Sequence, residues 1–150
     1  TPFVIRYPGH IKPGTSVNEM VMNIDFAPTL LTYAGVPVPE DIQGESFSKL
    51  LEGKKTGKWR QYMYYHYYEY PLSHKVAKHF GIKSTRYKLI CYYDPVKSWE
   101  LFDMQKDPKE MKNVYHDPEY QRVVQDMKNQ LIKIATKYKV SEAVQIANSN

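Results

Sequence analysis

The stretch "HFGIKSTRYKLICYY", residues 79–93, divides at Ser84-Thr85. A short apolar and aromatic run lies on either side, with small polar residues between them, which is the pattern of an antiparallel hairpin. Upstream, "YMYYHYYEY" (62–70) places six tyrosines in nine residues. Aromatic side chains suit a pleated surface, but here they occupy both parities. Either both faces of this strand are covered, or one face lines a cleft. Such a strip fits a packed sheet, a sugar platform or a nucleic-acid surface. Downstream, "SWELFDM" (98–104) reads as another strand, and the polar run "KDPKEMKN" (106–113) with Pro108 reads as a loop.

The clearest element follows. Asp117 is placed to cap a helix, Pro118 sits at its first position, and Glu119 favours the positive end of the helix dipole. Tyr120, Val124, Met127, Leu131, Ile134 and Tyr138 then recur at steps of three and four. The spacing predicts an amphipathic helix over 117–139, about five to six turns long. A stripe of Met, Tyr and Leu at this spacing belongs to a core and predicts packing on the sheet. The tail "SEAVQIANSN" (141–150) carries no clear pattern.

Toward the N-terminus, Phe3 to Tyr7 reads as a strand stopped by Pro8-Gly9. Asp25 is expected to cap a helix through "FAPTLLTYA" (26–34). Pro28 falls in its first turn, where a missing N–H costs little, and Gly35 stops it. "VPVPEDIQG" (36–44) is an extended connection. A short helix is expected from Ser46, with Phe47, Leu50 and Leu51 on one side and Gly53 at its end. The expected fold class is therefore α+β. Residues 1–53 form the end of an α/β region, and residues 54–150 form a small antiparallel β-sheet with the long helix packed on it. An apolar, strand-like run at residue 3 is expected of a piece of a longer protein.

A chain of 150 residues fits one domain of modest core. With 42% hydrophobic and 25% charged residues it has the composition of a folded globular protein. No run of 18 apolar residues occurs, so no membrane-spanning segment is expected. The single cysteine, Cys91, excludes an internal disulfide and a thiolate zinc site, and its neighbours Leu89 and Ile90 point to a buried structural thiol. The net charge of +5 is concentrated between Lys54 and Lys97, whereas Glu100 to Glu119 is acidic by comparison. A local basic patch attracts anions of any kind, from nucleic acid to a sulfated or phosphorylated ligand, and is equally often a solvated face.

No self-sufficient catalytic constellation is present. G-x-S-x-G, a Gly-rich phosphate loop, H-E-x-x-H and Cys/His metal spacing are all missing. The acids in "EDI" (40–42) and "FDMQKDP" (102–108) fall in turns, where Asp caps more often than it ligates. None of His10, His66, His74, His79 and His116 has a carboxylate partner evident in sequence. No catalytic or metal-ligating residue is therefore assigned within the chain.

Three stretches together carry a family resemblance: "TPFVIRYPGHIKPGT" (1–15), "NIDFAPTLLTYAGVPVPEDIQGESFSKLLEG" (23–53), and "STRYKLICYY" (84–93) with "WELFDMQKDPKEMKNVY" (99–115). In this order they closely resemble the C-terminal third of type I, formylglycine-dependent sulfatases of the alkaline-phosphatase superfamily. The phrase from Asp25 through Pro28-Thr29-Leu30-Leu31, combined with Glu100-Leu101-Phe102-Asp103 and Asp107-Pro108-x-Glu110, makes the likeness specific. The resemblance implies a large α/β catalytic domain followed by a small subdomain of four antiparallel strands and a helix. It implies a sulfuric ester hydrolase in which a Cys or Ser of a C/S-x-P-S-R motif becomes formylglycine and calcium is held by Asp and Asn side chains. A Lys and a His assist the leaving group. None of these motifs occurs here, and Cys91 lacks the Pro-Ser-Arg continuation, so the chain alone is expected to be inactive. Calcium and formylglycine are expected in the parent enzyme and no cofactor in this part.

The resemblance also implies that this subdomain closes one wall of the substrate pocket. The segment "YEYPLSHKVAKHFGIKSTRYKLI" (68–90) is similar to the version in sulfatases acting on amino sugars, particularly N-acetylglucosamine-6-sulfate. On that ground His74 and His79 are the candidate substrate-binding residues, since histidine can hydrogen-bond a sugar hydroxyl. Tyr62, Tyr64, Tyr65, Tyr67 and Tyr68 are assigned to packing. The implied partners are a sulfated glycan and the N-terminal sulfatase domain, with no nucleic acid and no membrane. The implied location is exported, periplasmic or extracellular, in glycan degradation. A non-catalytic module binding carbohydrate or polyanion is the alternative. No nucleic-acid recognition signature supports the remaining reading.

Overall fold

A computed structural model describes residues 3–71 and 74–149. The chain divides into two units, Thr1–Arg60 and Gln61–Asn150. The seam expected at 53/54 therefore falls seven residues later. Trp59 donates its indole N–H to Met20 O at 3.0 Å, and Arg60 pairs with Asp25, so both stay with the first unit.

In the first unit, helix α1 spans Phe26–Tyr33 and helix α2 spans Ser48–Leu51, two residues later than expected. Both end as the glycines require. Gly35 and Gly53 each adopt φ +67, and the two residues after each C-cap return N–H bonds into the last turn: Gly35 to Thr32 O and Val36 to Leu31 O, then Gly53 to Leu50 O and Lys54 to Lys49 O. One expectation fails and another is met only in part. Phe3 to Tyr7 is not a strand, because a strand needs a ladder partner and all four described strands lie in the other unit. Its rings pack instead, Phe3 stacking on Phe26 at 4.4 Å and Tyr7 on His10 at 4.3 Å. Asp25 holds the N-cap position of α1, as expected, but its side chain makes no cap hydrogen bond there. It is wholly buried in a 3-10 turn, Asn23–Asp25. There it accepts from the backbone N–H of Met22 (2.7 Å) and Glu45 (2.9 Å) and from both terminal nitrogens of Arg60. A buried carboxylate with a guanidinium and two amides is satisfied, whereas an unpaired one would be very costly.

In the second unit, β1 (Met63–Tyr67), β2 (Lys78–Lys83), β3 (Tyr87–Asp94) and β4 (Ser98–Asp103) form one antiparallel sheet in sequence order. The hairpin turns where its small polar residues lie, with Ser84 N–H donating to Tyr87 O at 2.8 Å. A 3-10 turn, Pro118–Tyr120, leads into helix α3, Gln121–Lys137, and Asp117 caps it by accepting from Glu119 N–H at 3.0 Å. The helix ends before 139 because Lys139 takes φ +58, donating to Thr136 O while Val140 donates to Ala135 O. The unpatterned tail forms a further helix, α4 (Ser141–Ser149), which buries Ala143 and Ala147. Val124, Met127, Leu131 and Ala135 join Phe80, Ile82, Leu89, Cys91 and Leu101 in one core, so the predicted apolar stripe does face the sheet.

Candidate functional site: an aromatic face of the sheet

Alternation along β1 sends Tyr64 and His66 to the helix-covered face and Tyr65 and Tyr67 to the other. The doubled parity of the tyrosines thus populates both faces with rings. On the helix side His66 is held by two phenols, Tyr64 Oη on Nδ1 at 3.0 Å and Tyr93 Oη on Nε2 at 2.9 Å, and it stacks on Tyr68 at 3.8 Å. Burial, aided by the nearby His79, pushes its pKa down to about 4. The ring is therefore neutral at pH 7, with one nitrogen donating to a phenol oxygen and the other accepting a phenol proton. Sequence reading missed this role, since Tyr93 lies 27 residues away and only the register brings it close.

On the opposite face, strand register sets Tyr67 opposite His79 and His79 opposite Tyr92. Three half-buried rings form a row across β1, β2 and β3. Tyr67 stacks on His79 with centroids 5.4 Å apart and planes 20° apart. Tyr92 leans on its other side at 5.2 Å, and Tyr65 meets it edge-on at 5.9 Å. His79 Nδ1 lies 2.8 Å from Ala77 O. The pairing of β2 with β3 slips between Lys78 and His79, an irregularity of the kind that re-aims a side chain. Beside this row the Tyr65 ring lies over Gly81. Its hydroxyl is buried without a hydrogen-bond partner among the described residues, and burial raises the phenol's pKa.

The two candidate residues fare differently. His79 is built into the ring row. His74 is exposed in the loop between β1 and β2 and makes no hydrogen bond, ion pair or ring contact with a described residue. Asp103 and Asp107 make structural contacts. Asp103 is buried at the end of β4 and takes a two-pronged bond from Arg86, with Nε at 3.0 Å and Nη2 at 2.8 Å. That pairing holds its pKa at about 2. Asp107 accepts from the backbone N–H of Met111 and Lys112. Among the described residues no group of three or more His, Cys, Asp or Glu side chains could hold a metal ion. Cys91 is buried in the core, and burial pushes its thiol up to about 12, the opposite of what a reactive thiolate needs. In the first unit a cavity of about 830 Å³ is lined by apolar side chains such as Phe3, Ile11 and Phe47 and by loop backbone, with Arg6, Lys12 and Glu19 as its charged residues.

A family model described as N-sulphoglucosamine sulphohydrolase, C-terminal, matches residues 1–137. The chain belongs to this family. An N-acetylglucosamine-6-O-sulfatase of Bacteroides thetaiotaomicron is 45% identical over 140 residues, covering 92% of this chain and 25% of the relative. A solved structure described as a complex with its substrate D-glucosamine-2-N,6-O-disulfate superposes with a TM-score of 0.89 at 43% identity, covering 94% of this chain and 29% of that one. A phosphonate monoester hydrolase from Silicibacter pomeroyi superposes with a TM-score of 0.75 at 25% identity, over 88% of this chain and 28% of that one. The chain spans about a quarter of the length of the relatives it matches. Its sequence and fold are those of the C-terminal part of sulfatases, with the expected four-stranded sheet and long helix. No helix is long and apolar enough to cross a membrane among the described residues.

Proposed function

We propose that this chain is the C-terminal part of an exported sulfatase that removes the 6-O-sulfate of N-acetylglucosamine-type glycans, and that it supplies a wall of the sugar pocket. The observation that carries this reading is the 45% identity with an N-acetylglucosamine-6-O-sulfatase over nearly the whole chain. The ring row around His79 supports it physically. Aromatic faces suit the apolar faces of a pyranose ring, and an imidazole can hydrogen-bond a sugar hydroxyl. In this reading His79, with His74 from the adjoining loop, contacts the sugar. The parent's formylglycine and calcium, which supply the nucleophile and the sulfate-binding charge, lie outside these 150 residues. The N-terminal sulfatase domain is the intramolecular partner, and the location is periplasmic or extracellular.

The test uses the complete enzyme. kcat/KM is measured for His74→Ala and His79→Ala on a 6-sulfated amino sugar and on an aryl sulfate, with Tm as a folding control. Loss of a hydrogen bond to the sugar should cost about 1–3 kcal/mol, roughly fivefold to 150-fold in kcat/KM, and should fall mainly on the sugar. A parallel fall on both substrates, or none, overturns the sugar-wall reading. Binding of sulfated glycan without sulfate release favours the non-catalytic module.

A further inference from the structure

We propose that Tyr67 is a positioning residue for His79, and that the pair makes the site specific for a sugar hydroxyl that donates a hydrogen bond. This rests on the sugar-wall reading above and adds the direction of the bond and the residue that fixes it. A carbonyl oxygen only accepts, so the 2.8 Å contact with Ala77 O puts the His79 proton on Nδ1. In the neutral ring Nε2 then carries the lone pair, and it has no hydrogen-bond partner among the described residues. A neutral imidazole in this tautomer accepts from a hydroxyl and gains nothing from a group that only accepts.

The tautomer matters only if the ring stays in place. Rotation about the Cβ–Cγ bond would break the bond to Ala77 and exchange the two nitrogens' surroundings. The nearly parallel Tyr67 ring on one side and the tilted Tyr92 ring on the other oppose that rotation. Tyr67 faces His79 directly across β1 and β2, so the two rings hold their stack through the backbone ladder. Tyr67 is thus packed, as its sequence context suggested, and its packing partner is the candidate ligand-reading group.

The test again uses the complete enzyme, with N-acetylglucosamine-6-sulfate and its 3-deoxyfluoro and 4-deoxyfluoro analogues. Fluorine keeps the size and removes the donated proton. Wild type should lose about tenfold to a hundredfold in kcat/KM on one analogue. In His79→Ala that discrimination should shrink to about threefold or less. Tyr67→Leu should lose most of it, and Tyr67→Phe, which keeps the stack, should retain it. Unchanged discrimination in His79→Ala overturns the sugar-wall reading itself. Loss in His79→Ala but full retention in Tyr67→Leu overturns the positioning role and leaves that reading standing. Should Tyr67→Leu fail to fold, the nitrogen-15 shifts of His79 in the wild-type enzyme decide: the Nδ1–H tautomer supports the proposal, and the Nε2–H tautomer overturns it.

Discussion

Gly81→Ala sets strand propensity against the packing of the aromatic face. Glycine in a strand interior is weak, and alanine there should help by up to about 1 kcal/mol. The structure gives the opposite sign. A Cβ at position 81 would stand 2.6 Å from Leu89 O, 2.6 Å from Tyr65 Oη and 2.7 Å from Tyr65 Cζ, where 3.4–4 Å is ordinary contact. Tyr65 could swing outward, but the Leu89 carbonyl cannot. It belongs to β3, which is held between β2 and β4 by ladders on both sides. Relief therefore requires β2 and β3 to part locally. Overpacking of this kind costs about 1–3 kcal/mol, which exceeds the propensity gain. For a unit of this size each kcal/mol lowers Tm by about 4–8 °C. Urea unfolding followed by far-ultraviolet circular dichroism measures the change, with Tyr65→Phe as the companion variant. Because the Tyr65 hydroxyl is buried without a partner among the described residues, its removal should be neutral or stabilising by up to about 1 kcal/mol. A Gly81→Ala variant as stable as wild type would refute the argument, since it would mean that the glycine is not held there by Tyr65 and Leu89.

Leu131 is fully buried in the core between α3 and the sheet, so Leu131→Ala should cost about 2–5 kcal/mol; a loss under about 0.5 kcal/mol in denaturant titration, the size of a surface change, would show that the stripe does not carry the packing. His66 titrates near 4 in the fold and near 6.5 when unfolded, so the unfolded chain takes up the proton first and stability falls as pH drops from about 6.5 toward 4. Between pH 7 and pH 5 the loss should be about 1–2 kcal/mol once the ring's partial solvent contact is discounted, and His66→Asn should flatten that slope; an unchanged slope contradicts the neutral, phenol-held imidazole. Asp103, with its pKa lowered to about 2 by Arg86, contributes in a separate window, below the usual carboxylate range of about 4.

Much of this protein was written in short-range sequence signals. The hairpin turned at Ser84, the two helices of the first unit stopped at Gly35 and Gly53, and the stripe from Tyr120 to Leu131 predicted which side of α3 meets the sheet. Each depends on backbone preference or on periodicity within a few residues, which acts wherever the rest of the chain goes. The tail helix α4 escaped because its buried positions are alanines, too small to mark an apolar stripe. What lay beyond the sequence was pairing at a distance. Asp25 looked like a helix cap because Asp serves that role locally, yet Arg60, 35 residues on, claims its carboxylate. The resemblance pointed to His74 and His79 alike, and only the register showed that His79 is clamped between Tyr67 and Tyr92 while His74 is exposed in its loop. Phe3 to Tyr7 has the sequence of a strand and joins no ladder among the described residues. Strand register, ring stacking and buried ion pairs are set by which elements meet, and that is a property of the folded chain.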